Sequence, residues 1–594
     1  MKMFGYIIAM SLALCACSSE DDDELLVPQP DTTGTSESVI NKVITSMTLN
    51  LNTNKVSYRP GETVTFTVEG ELPSGASVRY RQGNNTIATS AVSGTSWTWK
   101  VPQTDFTGYM ADIYTTGDGG IETIHGSIAV DVSSDWARFP RYGFVYDFDA
   151  SKTESVIATE MAFLNRCHLN GIQFYDWHNK HHWPLGGTRN NLFTTYKDIA
   201  NRNVVTSVVK NYITIQHRYG MKAMFYNLCL GALADAERDG VSPEWYLYSD
   251  RNHNVVDKHE MPAAWKSDVL LVDPGNSSWQ DYLAQRNDDV YANFQFDGFH
   301  IDQLGTRGTR YDYNGNQLDL AQGYVSFLHA MKKAHPQKLL VMNSVSSFGT
   351  TEIAKSGQTE FLYNELWESE DKFTDLRDIV HSNRAASGGK NTVLAAYMNY
   401  NVGSGNFNIP GVLLTDAFIF AVGGAHLELS GDHMLCSEYF PNSTLLMSDL
   451  MKRQMIRYYD FLVAYENLLR DGQVEQTADV TSKQGGIVIN AWPPKTGQIT
   501  AYGTQVGGRQ IVHLLNLLKA KSLSWRDIDG TVSLPQTIKE LPLTMTVTGT
   551  IKKLWIATPD NFGGTALQLK FKQEGSTVSF TLPYLKYWTM IVAE

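Results

Sequence analysis

The sequence predicts a multidomain protein: a parallel (β/α)8 TIM barrel, with an immunoglobulin-like β-sandwich before it and an antiparallel β-domain after it. Three observations predict it. From Arg141 onward, apolar strand-like runs alternate with helical segments, the mark of a parallel α/β architecture. On either side the texture changes to short alternating strands separated by turn residues. The chain has 594 residues, more than one ordinary domain, and its 42% hydrophobic and 19% charged residues leave ample core and exclude a disordered chain.

Residues 1–17 are expected to be a lipoprotein signal peptide. Lys2 supplies the positive start, and Phe4 to Ala16 form an apolar run too short to span a bilayer as a mature helix. Leu14-Cys15-Ala16-Cys17 resembles a bacterial lipobox, which makes Cys17 the lipidated residue; a soluble secreted protein cleaved nearby is the alternative. The acidic run Ser18 to Glu24 reads as solvated tether. Directly after a lipobox it is also similar to the surface-export signal of Bacteroidetes lipoproteins. Ser18, rather than Asp, then points to the outer membrane and the cell surface. The tether, rich in Ser, Thr, Pro and Asp, extends over 18–44.

Residues 45–134 hold the first β-module, with strands at Thr63–Val68, Ser96–Trp99 and Ile128–Val132, and read as a spacer or a weak carbohydrate binder. The barrel occupies 135–475. Its eight expected strands are Tyr142–Asp147, Gly171–Trp177, Met221–Asn227, Phe296–Asp302, Leu339–Asn343, Phe361–Glu365, Val393–Met398 and Ala425–Leu429. One apolar run, Val269–Asp273, is left over and has to sit in the long excursion after the third strand. A helical stretch from Thr444 to Leu469 leads into the C-terminal β-sandwich, 476–594, with strands at Gly486–Asn490, Gln510–Asn516 and Thr577–Leu582.

A formal charge of −13 without any basic stretch argues against nucleic acid as a partner. Beyond Cys15 and Cys17 only Cys167, Cys229 and Cys436 remain, with no CxxC pair, so buried free thiols are expected rather than disulfides. His181 and His182 are adjacent with no third ligand motif, and no metal or cofactor is expected. Asp312 to Asn316 resembles a calcium loop only in part and reads as a turn.

The chemistry lies in two strands. Residues two apart on a strand share a face, so in Phe296–Asp302 the residues Phe299 and Ile301 look one way while Gly298, His300 and Asp302 look the other. A carboxylate ending such a strand sits where barrel enzymes place their reactive groups. Asp297, five residues earlier, falls roughly 16 Å away with the opposite parity. In Phe361–Glu368 the same rule groups Phe361, Tyr363, Glu365 and Trp367. Each acid has a plain alternative, as a helix cap or an ion-pair partner. Two carboxylates converging on one cleft are, however, what glycosidic bond cleavage requires.

Several stretches together resemble glycoside hydrolase family 66, the dextranases and cycloisomaltooligosaccharide glucanotransferases. They are Asn170–Trp177 with His181-His182, Gly220–Asn227, Asp297–Gly305, Tyr363–Trp367 and Glu438–Asn442, in the family's order. The resemblance implies a retaining endo-hydrolase of the α-1,6 linkages of dextran, yielding isomaltooligosaccharides. Asp302 becomes the nucleophile and Glu365 the acid/base, with Tyr363 and Trp367 raising the Glu365 pKa by desolvation. Asp176, Asn227, Gln303, Asn343 and Asn399 are expected at sugar hydroxyls, and Tyr175, Trp177 and Trp183 as stacking platforms; each alternatively only supports its neighbours. The family's glucanotransferases carry a large insertion in the catalytic region that is missing here, which favours hydrolysis. Ring-forming transfer is the alternative enzyme, and a non-catalytic, surface glycan-binding lipoprotein the alternative of another class. A monomer is expected.

Overall fold

The structure is a computed structural model that describes residues 38–40, 42–437 and 444–594. Cys17, the acidic run, most of the tether and the Glu438–Asn442 motif lie outside the described residues.

Eight parallel strands form the central sheet: β1 (Tyr142–Val145), β2 (Gly171–Phe174), β3 (Lys222–Leu228), β4 (Gly298–Asp302), β5 (Leu339–Val345), β6 (Leu362–Leu366), β7 (Thr392–Ala396) and β8 (Gly424–His426). They neighbour one another in chain order. The sheet is nearly closed: just beyond β8, Leu429 O accepts from Phe144 N–H of β1 at 3.1 Å. A barrel of eight strands is filled by its own side chains, and here the filling is aromatic, with Tyr142, Phe144, Met224, Val341, Phe361, Tyr363 and Val393 in one inner cluster. Phe299 and Ile301 belong to the core outside the barrel, as the alternation in β4 requires. Gly298 is needed where β4 meets β5, because a Cβ there would stand 2.2 Å from Leu339 O.

Helices cover the outer face. Leu320–Ala334 starts on an Asp319 cap, whose side chain accepts from Gln322 N–H, and buries Leu320, Tyr324, Phe327, Leu328 and Met331 at helical spacing. Ile409–Ala421 is apolar nearly all round because the barrel lies on one side and further protein on the other. The surplus run becomes the strand Val269–Leu271, paired with Gly231–Ala232 and Lys258–His259 in a small sheet off the barrel. Among the described residues no helix is long and apolar enough to cross a membrane.

Both flanks are rich in sheet. Before the barrel, a five-stranded and a three-stranded sheet face each other across Val64, Phe66, Val78, Ile113 and Ile128. After it, a seven-stranded and a four-stranded sheet enclose a second apolar cluster. Buried ion pairs tie the first module to the barrel side: Arg141 reaches Asp131 at 2.5 Å, and Asp460 accepts from Arg166 at 2.7 Å and from Ala129 N–H at 2.8 Å. Cys167 and Cys229 are buried free thiols, and Cys436 is buried beside Ser437.

Candidate active site

A cleft of about 450 Å³ opens at the C-terminal ends of the strands. Asp302 ends β4 and uses both its oxygens: Oδ2 accepts from the Tyr226 hydroxyl of β3 at 2.7 Å, and Oδ1 from Asn343 Nδ2 of β5 and from Gln303 N–H, each at 2.8 Å. The same Asn343 nitrogen donates to Glu365 Oε2 on β6 at 2.5 Å. One amide therefore bridges the two acids. Those two lengths laid end to end put Asp302 Oδ1 and Glu365 Oε2 at most about 5.3 Å apart.

Burial is the largest influence on Asp302 and raises its pKa above the usual aspartate range, against the pull of its three hydrogen bonds. Asp176 is also in the cleft, and burial pushes it up to about 6 although Arg202 pairs with it at 3.0 Å. Burial holds His300, beneath Asp302 on the inner face, down to about 3, so it is neutral beside the Tyr142 hydroxyl. Tyr175, Tyr226, Tyr363 and Tyr397 are all driven well up by burial and remain protonated donors. The walls come from loops: Trp367, Tyr397 and Tyr400 after β6 and β7, and across the barrel His181, His259, Met261 and Trp265 after β2 and β3.

A family model for glycosyl hydrolase family 66 matches residues 53–592, both β-rich flanks included. The chain belongs to that family. It is 27% identical to a cycloisomaltooligosaccharide glucanotransferase of Niallia circulans over 755 aligned positions, which cover 99% of this chain and 75% of the relative. It is 24% identical to a dextranase of Streptococcus salivarius over 617 positions, 92% of this chain and 72% of the relative. The fold is that of a solved Paenibacillus cycloisomaltooligosaccharide glucanotransferase in complex with cycloisomaltoheptaose, with a TM-score of 0.84 at 24% identity, covering 92% of this chain and 100% of that one.

In this family 66 chain Tyr175, Asp176, Gln303 and Asn343 line the cleft. Gln303 turns its amide away, to Phe348 O at 3.3 Å and to Gly305 N–H. Four expected sugar contacts are corrected. Trp177 is 0% exposed, packed among Phe225, Phe294 and Phe296, with its indole N–H on Tyr226 O. Trp183 lies off the cleft, bonded to Gly187 O with Arg286 over its ring. Asn227 is buried under the His181 loop, accepting from His181 Nδ1 at 2.9 Å and donating to His181 O at 2.8 Å. Asn399 braces two loops, donating to Asp527 O and accepting from Asn408 N–H. For two of them the strand pattern gives the reason. Strand β2 ends at Phe174 and Asp176 takes a left-handed φ of 47°, so alternation stops before Trp177. Asn227 is on β3 but out of phase with the inward Met224 and Tyr226.

Tyr226 was missed, although parity within β3 points to it. Tyr397 continues the inner-facing series Val393 and Ala395 and was legible in the same way. No sequence signal marks Trp265, Met261 or His259, which come from the excursion.

Asp297 sits elsewhere, accepting from His217 Nε2 and Ala223 N–H, each at 2.8 Å. Two side-chain groups among the described residues have metal-like composition, both outside the cleft. In His182–Asp235–Asp239 the Lys180 ammonium already lies 2.6 Å from each aspartate. In Asp416–His426–Glu428 the imidazole Nδ1 is 2.8 and 3.0 Å from the two carboxylates.

Proposed function

We propose that the protein is an endo-acting, retaining glycoside hydrolase that cleaves α-1,6-glucosidic linkages of dextran to isomaltooligosaccharides, with Asp302 as nucleophile and Glu365 as acid/base. The bridged carboxyl pair carries the reading. Bridged oxygens at most about 5.3 Å apart support the close pairing of retaining enzymes over the wider gap that holds a water in inverting ones. Asp302 attacks the anomeric carbon while Glu365 protonates the departing O6. Glu365 then takes a proton from water, which attacks the anomeric carbon and releases Asp302 with net retention. Tyr226, Asn343 and Gln303 N–H hold the nucleophile's oxygens in place before substrate arrives.

Alignment lengths bear on hydrolysis against ring-forming transfer. About 170 positions of the aligned glucanotransferase have no counterpart in this chain, against about 70 of the dextranase, which favours the hydrolase. Transfer is the second reading, favoured by the slightly higher identity to the glucanotransferase and by a glycosyl intermediate open to attack by a sugar hydroxyl. Mass spectrometry of the products from dextran decides: linear isomaltooligosaccharides are expected, and rings, each lighter by one water, would overturn the hydrolase reading. Dextran left unchanged, with neither new reducing ends nor rings, would leave a non-catalytic glycan binder. Proton NMR of the first-formed anomer tests retention.

The same reading takes the flanks as an immunoglobulin-like sandwich (45–134) and a C-terminal β-sandwich (476–594), and the protein as a monomer. A lipid on Cys17 and the acidic tether hold it on the outer face of a bacterial outer membrane, where a polymer too large for pores is met. External protease on whole cells should remove it, and Cys17→Ala should free it from membranes or block processing; protection of the wild-type protein refutes the location alone.

A further inference from the structure

The C-terminal β-rich region reaches the residues that wall the cleft. Between its strands Arg509–Asn516 and Ile538–Thr546 the chain runs out over the ends of β6 and β7. There it is fastened along its backbone: Phe373 N–H donates to Leu523 O at 3.1 Å, Trp525 N–H to Asp371 O at 2.9 Å, and Asn399 N–H to Arg526 O at 3.2 Å. The Trp525 indole donates to Glu370 O at 2.7 Å. These bonds deliver Arg526 behind the aromatic wall. Its guanidinium lies 5.6 Å from the ring centre of Trp367 and 5.4 Å from that of Tyr400, two residues that line the cleft. Trp367 follows Glu365 by two residues and stacks on Tyr397 at 5.0 Å.

A buried guanidinium is unfavourable unless it is fully paired. Arg526 is 1% exposed, yet its ion partner Glu368, at 3.1 Å, is 79% exposed in its side chain, and its Nε has no hydrogen-bond partner among the described residues. An apolar side chain of similar volume would serve stability at this place better. What only the cation supplies is attraction to two ring faces at once.

We propose that Arg526 is a positioning residue: by cation–π contact it fixes Trp367 and Tyr400 as the wall beside Glu365 and so sets the grip on the sugar ring bound against that wall. The C-terminal region is then part of the substrate site, not an appendage. The inference rests on the glucan-cleaving reading above.

The test compares wild type with Arg526→Lys, which keeps the charge, and Arg526→Met, which keeps the volume without it. For Arg526→Met, KM for dextran is expected to rise roughly three- to tenfold, in line with two desolvated cation–π contacts, while kcat stays within about threefold. Arg526→Lys should recover most of the affinity. An unchanged KM in Arg526→Met overturns the proposal, as does a fall in kcat and melting temperature with KM unmoved, the signature of a purely structural weld. A wild-type protein inert on dextran refutes the substrate reading instead. In that event a crystal structure of Arg526→Met decides: displaced Trp367 and Tyr400 rings uphold the role, and rings unmoved overturn it. Should Arg526→Met fail to fold, Arg526→Lys with wild-type stability and unchanged KM upholds it, and Lys failing likewise overturns it.

Discussion

Tyr226→Phe removes one hydroxyl and leaves its ring in place, so it isolates a single bond to the proposed nucleophile. That hydroxyl donates to Asp302 Oδ2 at 2.7 Å from a residue only 9% exposed, where bulk water does not replace it. A hydrogen bond to an ionised group contributes about 1.5–3 kcal/mol, and one pKa unit corresponds to about 1.36 kcal/mol. Since the bond favours the ionised form, its loss should raise the Asp302 pKa by about one to two units, on top of the rise that burial already imposes. In the proposed mechanism Asp302 acts as the carboxylate, so activity is expected above its pKa and lost as pH falls through it. The acid limb of kcat/KM for dextran should therefore move up by about one to two pH units. That limb belongs to the coupled pair, but its acid side follows the group that has to lose a proton. Initial rates by reducing-end release, across the acid limb of both proteins, give the answer. A limb that stays put, or moves down, refutes the role given to Tyr226 and with it the assignment of Asp302.

Asp302→Asn and Glu365→Gln should each lower turnover by about a thousandfold or more with unchanged circular dichroism. For Asp302 the folded pKa is raised, so ionisation works against the fold as pH rises past the ordinary aspartate value; the neutral Asn should melt at or above wild type at pH 7. Asp297→Asn should keep kcat and lose about 1–3 kcal/mol in urea unfolding. Bonds to His217 and Ala223 outweigh burial and depress its pKa, so its contribution is present above the ordinary aspartate value and disappears as pH falls through the depressed one. Burial opposes the charge on His426, but Glu428 and Asp416 win and push it up to about 10. Its stabilisation is complete below the ordinary histidine value and is lost as pH rises toward 10. His426→Leu, which strands two buried carboxylates, should cost about 3–5 kcal/mol by urea unfolding at pH 7, with kcat of the folded fraction unchanged.

Parity made the two acids readable because in a parallel barrel every reactive side chain must come from an inward position at a strand's C-terminal end. Asp302 and Glu365 meet both conditions, and Asp297 fails both. The misplacements arose where residue type was used without phase. Asn227 is polar and ends a strand, but the inward neighbour of Met224 is Tyr226. Trp177 is aromatic and lies near the rim, but the left-handed turn at Asp176 has already ended the alternation. Two further residues were illegible for a different reason. Trp265, which lines the cleft, sits in the connection between two short strands off the barrel, and Arg526, behind the cleft wall, comes from a connection in the C-terminal region. Local periodicity carries no information about either.

Asn343 ties together the two acids to which the proposed mechanism gives different parts. Its amide nitrogen faces both, one hydrogen toward Asp302 Oδ1 and one toward Glu365 Oε2. The reverse orientation would set the amide oxygen against two acceptors, which repel it. With Oε2 accepting from Asn343, the proton that the proposed mechanism assigns to Glu365 belongs on Oε1. Meanwhile Asp302 keeps three donors on its two oxygens, a pattern that suits a carboxylate and not a carboxylic acid. The shared amide of Asn343 favours the ionised form of both acids alike, so the bias toward an ionised Asp302 comes from the Tyr226 hydroxyl and Gln303 N–H, which donate to Asp302. Those donors stand on Asp302 before any sugar enters, which is the preorganisation the proposed nucleophile calls for.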